Sequence, residues 1–107
     1  MYFSYLKERE GRESIVTEHS FVTYNVYDDH IVIYDMYIKP EFRGIKEVSD
    51  DLIARLFQVA NAHGCKKCVA TIDISTKGAM KSLSFNIKHN FVIVCMKDNI
   101  ITLVKDL

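Results

Sequence analysis

Residues 31–64 read IVIYDMYIKPEFRGIKEVSDDLIARLFQVANAHG, and this stretch decides the fold. Ile31, Val32, Ile33, Tyr34, Met36, Tyr37 and Ile38 form a β-branched and aromatic run with no breaker before Pro40, which predicts a strand. Leu52, Ile53, Leu56, Phe57 and Ala60 then recur at the one-, three- and four-residue steps that stack on one helix face. Asp50, Asp51, Arg55, Gln58 and Asn61 fall on the opposite face. Gly64 stands just past the last periodic residue, where a left-handed cap suits glycine. Strand and helix are joined by a proline turn carrying Arg43-Gly44. A strand that feeds a helix N-terminus leaves backbone N–H groups unpaired, and these can hold an anion.

Downstream, Cys65 to Ile74 (CKKCVATIDI) reads as a second strand. A strand–helix–strand unit of this size implies a right-handed crossover with the two strands parallel. Thr76 resembles an N-cap, and Ala79, Met80, Leu83 and Ile87 mark a second helix that ends near His89-Asn90. Asn at that end tolerates the left-handed conformation. Phe91 to Met96 and Ile100 to Val104 predict a final hairpin around Lys97-Asp98-Asn99. Upstream, Phe21 to Tyr27 (FVTYNVY) alternates, with Phe21, Thr23, Asn25 and Tyr27 on one side and Val22, Tyr24 and Val26 on the other. Asp28-Asp29 turns it back, antiparallel to the Ile31 strand. Ser14 to Thr17 suits a short strand. Residues 1–20 are the least defined: Tyr2, Phe3, Tyr5 and Leu6 fit a short strand or a helical turn, and Lys7 to Glu13 reads as a solvated loop around Gly11. The expected class is α+β (mixed α/β), with a mixed central sheet and two main helices. The expected order is β-β-α-β-α-β-β, in one domain over residues 1–107.

Composition narrows the function classes. The chain is 49% hydrophobic, and 14 basic residues balance 14 acidic ones. An ordinary soluble globular protein follows, and the balance argues against nucleic acid or an anionic membrane as partner, since both call for a basic excess. No apolar run reaches membrane-spanning length. MYFSYLKERE lacks the basic segment, apolar stretch and small-residue cleavage site of a signal peptide, which points to the cytoplasm. The three cysteines, an odd count, make no disulfide framework and fit reduced thiols.

The element order, together with Tyr37-Ile38-Lys39-Pro40-Glu41-Phe42-Arg43-Gly44, resembles the GNAT-fold N-acetyltransferases over roughly residues 21–107. In that family a strand ends in a Val/Ile-x-Pro-Glu-Tyr/Phe-Arg-Gly turn, and Asn90-Phe91 stands where the family carries Gly-Phe. The family's early helices are missing or reduced, as in small phage-encoded members. The resemblance implies acetyl-CoA as acyl donor. Its pyrophosphate would rest on the turn and helix start at Arg43, Gly44, Ile45, Lys46, Glu47, Val48 and Ser49, and its thioester would lie beside Tyr37 and Ile38. It also implies an amine acceptor, on a small molecule or a protein, that loses its proton to a carboxylate or a water.

Three features depart from that pattern. Lys46 and Val48 occupy the positions of two loop glycines, where side chains narrow the approach to a pyrophosphate. Ser49-Asp50-Asp51 reads as an N-cap with two acids in the first turn, which satisfy the helix dipole and repel phosphate. The late-helix tyrosine position, five before Phe91, is Asn86, with Phe85 beside it, and neither supplies a phenol.

Each candidate has a plain reading beside the functional one. Asp35 interrupts an apolar strand where a buried carboxylate with a raised pKa would serve as catalytic base; it is otherwise an exposed Asp, or one paired to a nearby Lys or Tyr. Residues 43–49 are a pyrophosphate cradle or an ordinary strand-to-helix turn. Cys65-Lys66-Lys67-Cys68 with His63 lacks the further ligands that zinc requires, and it leads out of a helix rather than into one, so buried strand thiols fit it best. His19, His30, His63 and His89 are scattered. Tyr24, Tyr27, Tyr34 and Tyr37 line a groove or pack the core. Lys66-Lys67 and Lys77 with Lys81 are solvated charge or neighbours of the CoA adenosine phosphate. The readings for the whole chain are therefore an acetyl-CoA-dependent N-acetyltransferase, a non-catalytic GNAT-fold module (viral, docking on a host protein, or self-associating as a homodimer through an edge strand), and an unrelated α+β domain.

Overall fold

The computed structural model describes residues 1–107. Three helices and six strands follow in the order α1 (Tyr2–Glu10), β1 (Glu13–Val16), β2 (Ser20–Tyr27), β3 (His30–Ile38), α2 (Lys46–Ala62), β4 (Lys67–Asp73), α3 (Ala79–Lys88), β5 (Val92–Lys97) and β6 (Ile100–Asp106). A single 3₁₀ turn, Pro40–Phe42, sits between β3 and α2. The strands form one mixed sheet in the order β1-β2-β3-β4-β6-β5. Only β3 and β4 pair in parallel among the ladders, as the crossover through α2 requires.

Alternation along the strands assigns the two faces. Val22 and Tyr24 of β2, Ile31 and Ile33 of β3, Cys68, Ala70 and Ile72 of β4, and Ile101 and Leu103 of β6 are buried in one cluster with Leu52, Leu56 and Ala60 of α2. Ala79 of α3 and Phe91 join that cluster, so α2 and α3 share a face, where His89 Nε2 meets the Asp50 carboxylate at 3.3 Å. The other face carries Phe21 and Tyr37, stacked at 5.6 Å, and α1 covers it there through Phe3, edge-on to Phe21 at 5.0 Å.

The first helix corrects the reading of Lys7–Glu13 as a loop. Lys7 to Glu10 continue α1, because Leu6 is buried against the sheet and Gly11, at φ 69°, ends the helix by donating its N–H to the Lys7 carbonyl. Two helix starts also differ. Ser49 is no N-cap: α2 begins at Lys46 after Ile45, and the Ser49 hydroxyl donates to the Lys46 carbonyl inside the first turn. Half-buried Val48 explains this, since it extends the stripe Leu52–Leu56–Ala60 back by one four-residue step. Thr76 caps nothing either. Its hydroxyl donates to the Asp73 carbonyl at 2.7 Å, closing the exit from β4, and α3 starts after Gly78 at φ 84°.

The remaining turns follow their sequence chemistry. Asn90 adopts φ 70° after α3, and Asp98 and Asn99, at φ 52° and 66°, form the two-residue loop between β5 and β6. No helix is long and apolar enough to cross a membrane.

Candidate functional site

The site begins where two parallel strands part. β3 and β4 are paired from His30 opposite Lys67 to Ile33 opposite Ala70, and no further. The cause lies on the other edge of β3. Thr23 of β2 faces Asp35 while Tyr24 faces Ile33, so Tyr34 is an extra residue on β3. A bulge of this kind bends its strand and increases the twist, turning the end of β3 away from β4. Thr23, wholly buried, holds the bulge by accepting the Asp35 N–H on its hydroxyl at 3.1 Å. Past Ile33 and Ala70 the facing backbone edges have no strand partner. Such groups are available to a ligand.

The gap is a cleft of about 670 Å³. Tyr34, Asp35, Tyr37 and Ile38 line one side and Thr71, Ile72 and Asp73 the other, with Arg43 and the first turns of α3 across its mouth. Of the residues expected at a site, Asp35, Tyr37, Ile38 and Arg43 thus come together. Gly44, Ile45, Lys46, Glu47, Val48 and Ser49 do not line the cleft. The N–H groups of Gly44, Lys46 and Glu47 find no acceptor within the chain, but Lys46 pairs with Asp50 at 3.9 Å and Glu47 adds an acid to the first turn of α2.

Electrostatics divide the lining. The Asp35 side chain is 58% exposed and stands 3.6 Å from the Arg12 guanidinium, so the buried carboxylate expected from its apolar neighbours is not formed. Arg12 also lies 4.3 Å from the centroid of the Tyr34 ring. The Tyr34 and Tyr27 hydroxyls share a 2.7 Å hydrogen bond, which pushes the Tyr34 phenol up and the Tyr27 phenol down. Asp73 accepts from the Ser75 hydroxyl at 2.6 Å and the Ser75 N–H at 2.9 Å, and these bonds hold its carboxyl below the usual range. Arg43 donates its Nε–H to the Ile38 carbonyl at 2.9 Å and reaches over the Tyr37 ring, 5.4 Å from its centroid. His19, stacked on Phe42 at 3.6 Å, holds the turn that presents Arg43.

Other candidates lie elsewhere. Cys65 and Cys68 are buried, and burial pushes the Cys68 thiol up to about 12, far from a reactive thiolate. The histidines are dispersed over separate contacts, His19 on Phe42, His30 on Asp29 and His89 on Asp50, and no three potential metal ligands converge. Sequence reading passed over Arg12 and Asp73. Arg12 carried no signal, being brought to Asp35 by the unexpected α1, whereas the Asp73-x-Ser75 pattern is a turn motif visible in the sequence.

Comparison with solved structures agrees with this geometry. The IAA acetyltransferase from Bacillus cereus superposes with a TM-score of 0.70 at 12% identity, over 92% of this chain and 79% of that one. The PaiA N-acetyltransferase from Thermoplasma acidophilum, in complex with coenzyme A, gives 0.75 at 13% over 95% and 66%. The Bacillus subtilis acetyltransferase in complex with CoA gives 0.71 at 14% over 97% and 83%. This chain has the GNAT fold, the fold of the acyl-CoA N-acyltransferases. No protein-family sequence profile matches it, and no characterised protein sequence does at a significant level.

Proposed function

We propose that the chain is an N-acyltransferase that takes acetyl-CoA as donor and an amine, on a small molecule or a protein, as acceptor. The observation that carries this reading is the parting of β3 and β4 at Ile33 and Ala70, driven by the Tyr34 bulge. It leaves a cleft with unpaired backbone on both sides, suited to an extended acyl-pantetheine arm, and its lining includes Arg43, Lys77 and Lys81. Strand N–H groups that turn into the gap are fixed donors for a thioester carbonyl as negative charge develops on its oxygen.

The acceptor amine attacks the thioester carbonyl carbon; the C–N bond forms, the C–S bond breaks, and CoA leaves as the thiolate, which takes a proton from solvent water. Asp35, at the cleft wall and open to solvent, takes the proton that the amine sheds, directly or through one water. Arg12 beside it keeps that carboxylate oriented. The test is turnover: acetyl-CoA with a panel of amines, read by thiol release. Release that depends on both substrates supports the reading, and none across the panel counts against it.

A second reading, a non-catalytic GNAT-fold module, draws on β5. This edge strand is exposed at every residue, with Val92 at 64%, Val94 at 59% and Met96 at 66%, and it pairs only with β6. An apolar strand with a free edge is a template for pairing with another chain, a second copy included.

A further inference from the structure

We infer that His89, in its charged form, is a positioning residue that clasps the end of α3 to the start of α2 and so fixes the α3 wall of the cleft. Both polar groups that meet its ring are acceptors. Nδ1 lies 2.9 Å from the Phe85 carbonyl, and Nε2 lies 3.3 Å from the Asp50 carboxylate. A carbonyl and an ionised carboxylate only accept, so the ring satisfies both contacts as an imidazolium, with a hydrogen on each nitrogen. A neutral ring keeps one bond and turns a lone pair toward the other oxygen.

The helix ends favour the same charge. His89 follows the last residue of α3, where free carbonyls carry partial negative charge. Asp50 stands near the start of α2, where free N–H groups carry partial positive charge. Each side chain complements its own helix, and the two meet between the helices. Lys46 reaches the second Asp50 oxygen at 3.9 Å, so the carboxylate serves two cations, one on each oxygen. Of the other charges on these helices, Asp51 is engaged by Arg55 at 3.0 Å, and Lys88, next to His89 in the chain, makes no ion pair. The His89 side chain is only 13% exposed, which limits screening by water.

The clasp reaches the cleft through Phe85 and Asn86, both of which line it. Phe85 is gripped twice: its carbonyl accepts the His89 backbone N–H at 3.1 Å as well as Nδ1, and its ring lies 4.3 Å from the imidazole. Histidine changes charge between about pH 5 and 8. The clasp is therefore complete below that range and is lost as pH rises through it, when the neutral ring releases one of its two acceptors. It does not depend on which ligand the cleft takes.

The experiment measures urea unfolding at about pH 5.5 and about pH 8.5 for wild type, Asp50→Asn, His89→Gln and the double variant. Side-chain ¹⁵N spectra of the wild-type histidines and backbone amide spectra cover the same range. The expected coupling between the two positions is about two- to fivefold in the unfolding constant at the lower pH, falling toward none at the higher. In wild type both His89 nitrogens carry hydrogen at the lower pH, and the Phe85 and Asn86 amides shift as one proton leaves; in His89→Gln those shifts are absent. Equal coupling at both pH values, or a neutral His89 at the lower one, overturns the charged clasp. No coupling at the lower pH overturns the contact itself. Should His89→Gln fail to fold, the wild-type spectra decide: Phe85 and Asn86 amides that do not follow the charge of the ring overturn the positioning role.

Discussion

The buried hydroxyl of Thr23 accepts the backbone N–H of Asp35 at 3.1 Å, on the strand next to the cleft rather than inside it. This bond satisfies the amide that the Tyr34 bulge takes out of the β2–β3 ladder, and so it supports the bend that opens β3 away from β4. Thr23→Val keeps the shape and removes the acceptor. The expected cost is about 1–3 kcal/mol for the orphaned N–H, measured by urea denaturation. Ligand affinity in the cleft falls with it, because the bend loses its support. A variant as stable as wild type contradicts this role.

Asp35 is assigned to the amine's proton. Asp35→Asn should lower turnover by about 10²- to 10⁴-fold and leave CoA affinity nearly unchanged, as read by steady-state rates and calorimetry. Its side chain is exposed, so the fold is not at risk. Full activity in the variant removes Asp35 from the mechanism and leaves water as the base.

Much of this arrangement was legible in the sequence, and what was not has physical causes. The β3–turn–α2–β4 unit and the final hairpin announced themselves through uninterrupted periodicity and turn residues such as Asn90, Asp98 and Asn99. The α1 helix did not, because only Leu6 is buried in it, and a single buried residue makes no pattern. The early start of α2 rested on Val48 alone, against the stronger local signal of Ser49-Asp50-Asp51 as a cap. The bulge was invisible for another reason. It depends on which residue of β2 faces which residue of β3, and Thr23 carries no mark that it will bond to the backbone of Asp35. Asp35 lies on the cleft wall, but its exposure and its Arg12 partner could not be read from the strand, because Arg12 is brought there by α1.

Gly78 adopts φ 84° between Thr76 and the start of α3, with open space where a Cβ would stand. Gly78→Ala therefore meets no clash and shows the backbone cost alone, about 1–2 kcal/mol in thermal unfolding. An unchanged melting temperature means the turn relaxes freely.

Asp73 gives a pH signature. Its folded pKa is depressed by Ser75, so the stabilisation exists above the unfolded pKa and is lost as pH falls through the folded one. Ser75→Ala should melt below wild type at neutral pH, and the gap should close as pH falls through the depressed folded pKa of the carboxyl. A gap independent of pH assigns the loss to packing instead.

The edge strand β5 tests the second reading. Val94→Lys places a charge at an exposed, apolar edge position and should change monomer stability by less than about 0.5 kcal/mol. If copies associate through β5, light scattering after size exclusion shows a dimer in wild type and a monomer in the variant. A dimer in both places the contact elsewhere.

The most direct measurement maps amide chemical shifts of the ¹⁵N-labelled chain during titration with acetyl-CoA. The largest changes are expected on the two parted edges, residues 34–38 of β3 and 71–73 of β4, with a second group at the start of α3. Changes confined to β5 and β6, or none at millimolar ligand, would contradict a donor site between Ile33 and Ala70.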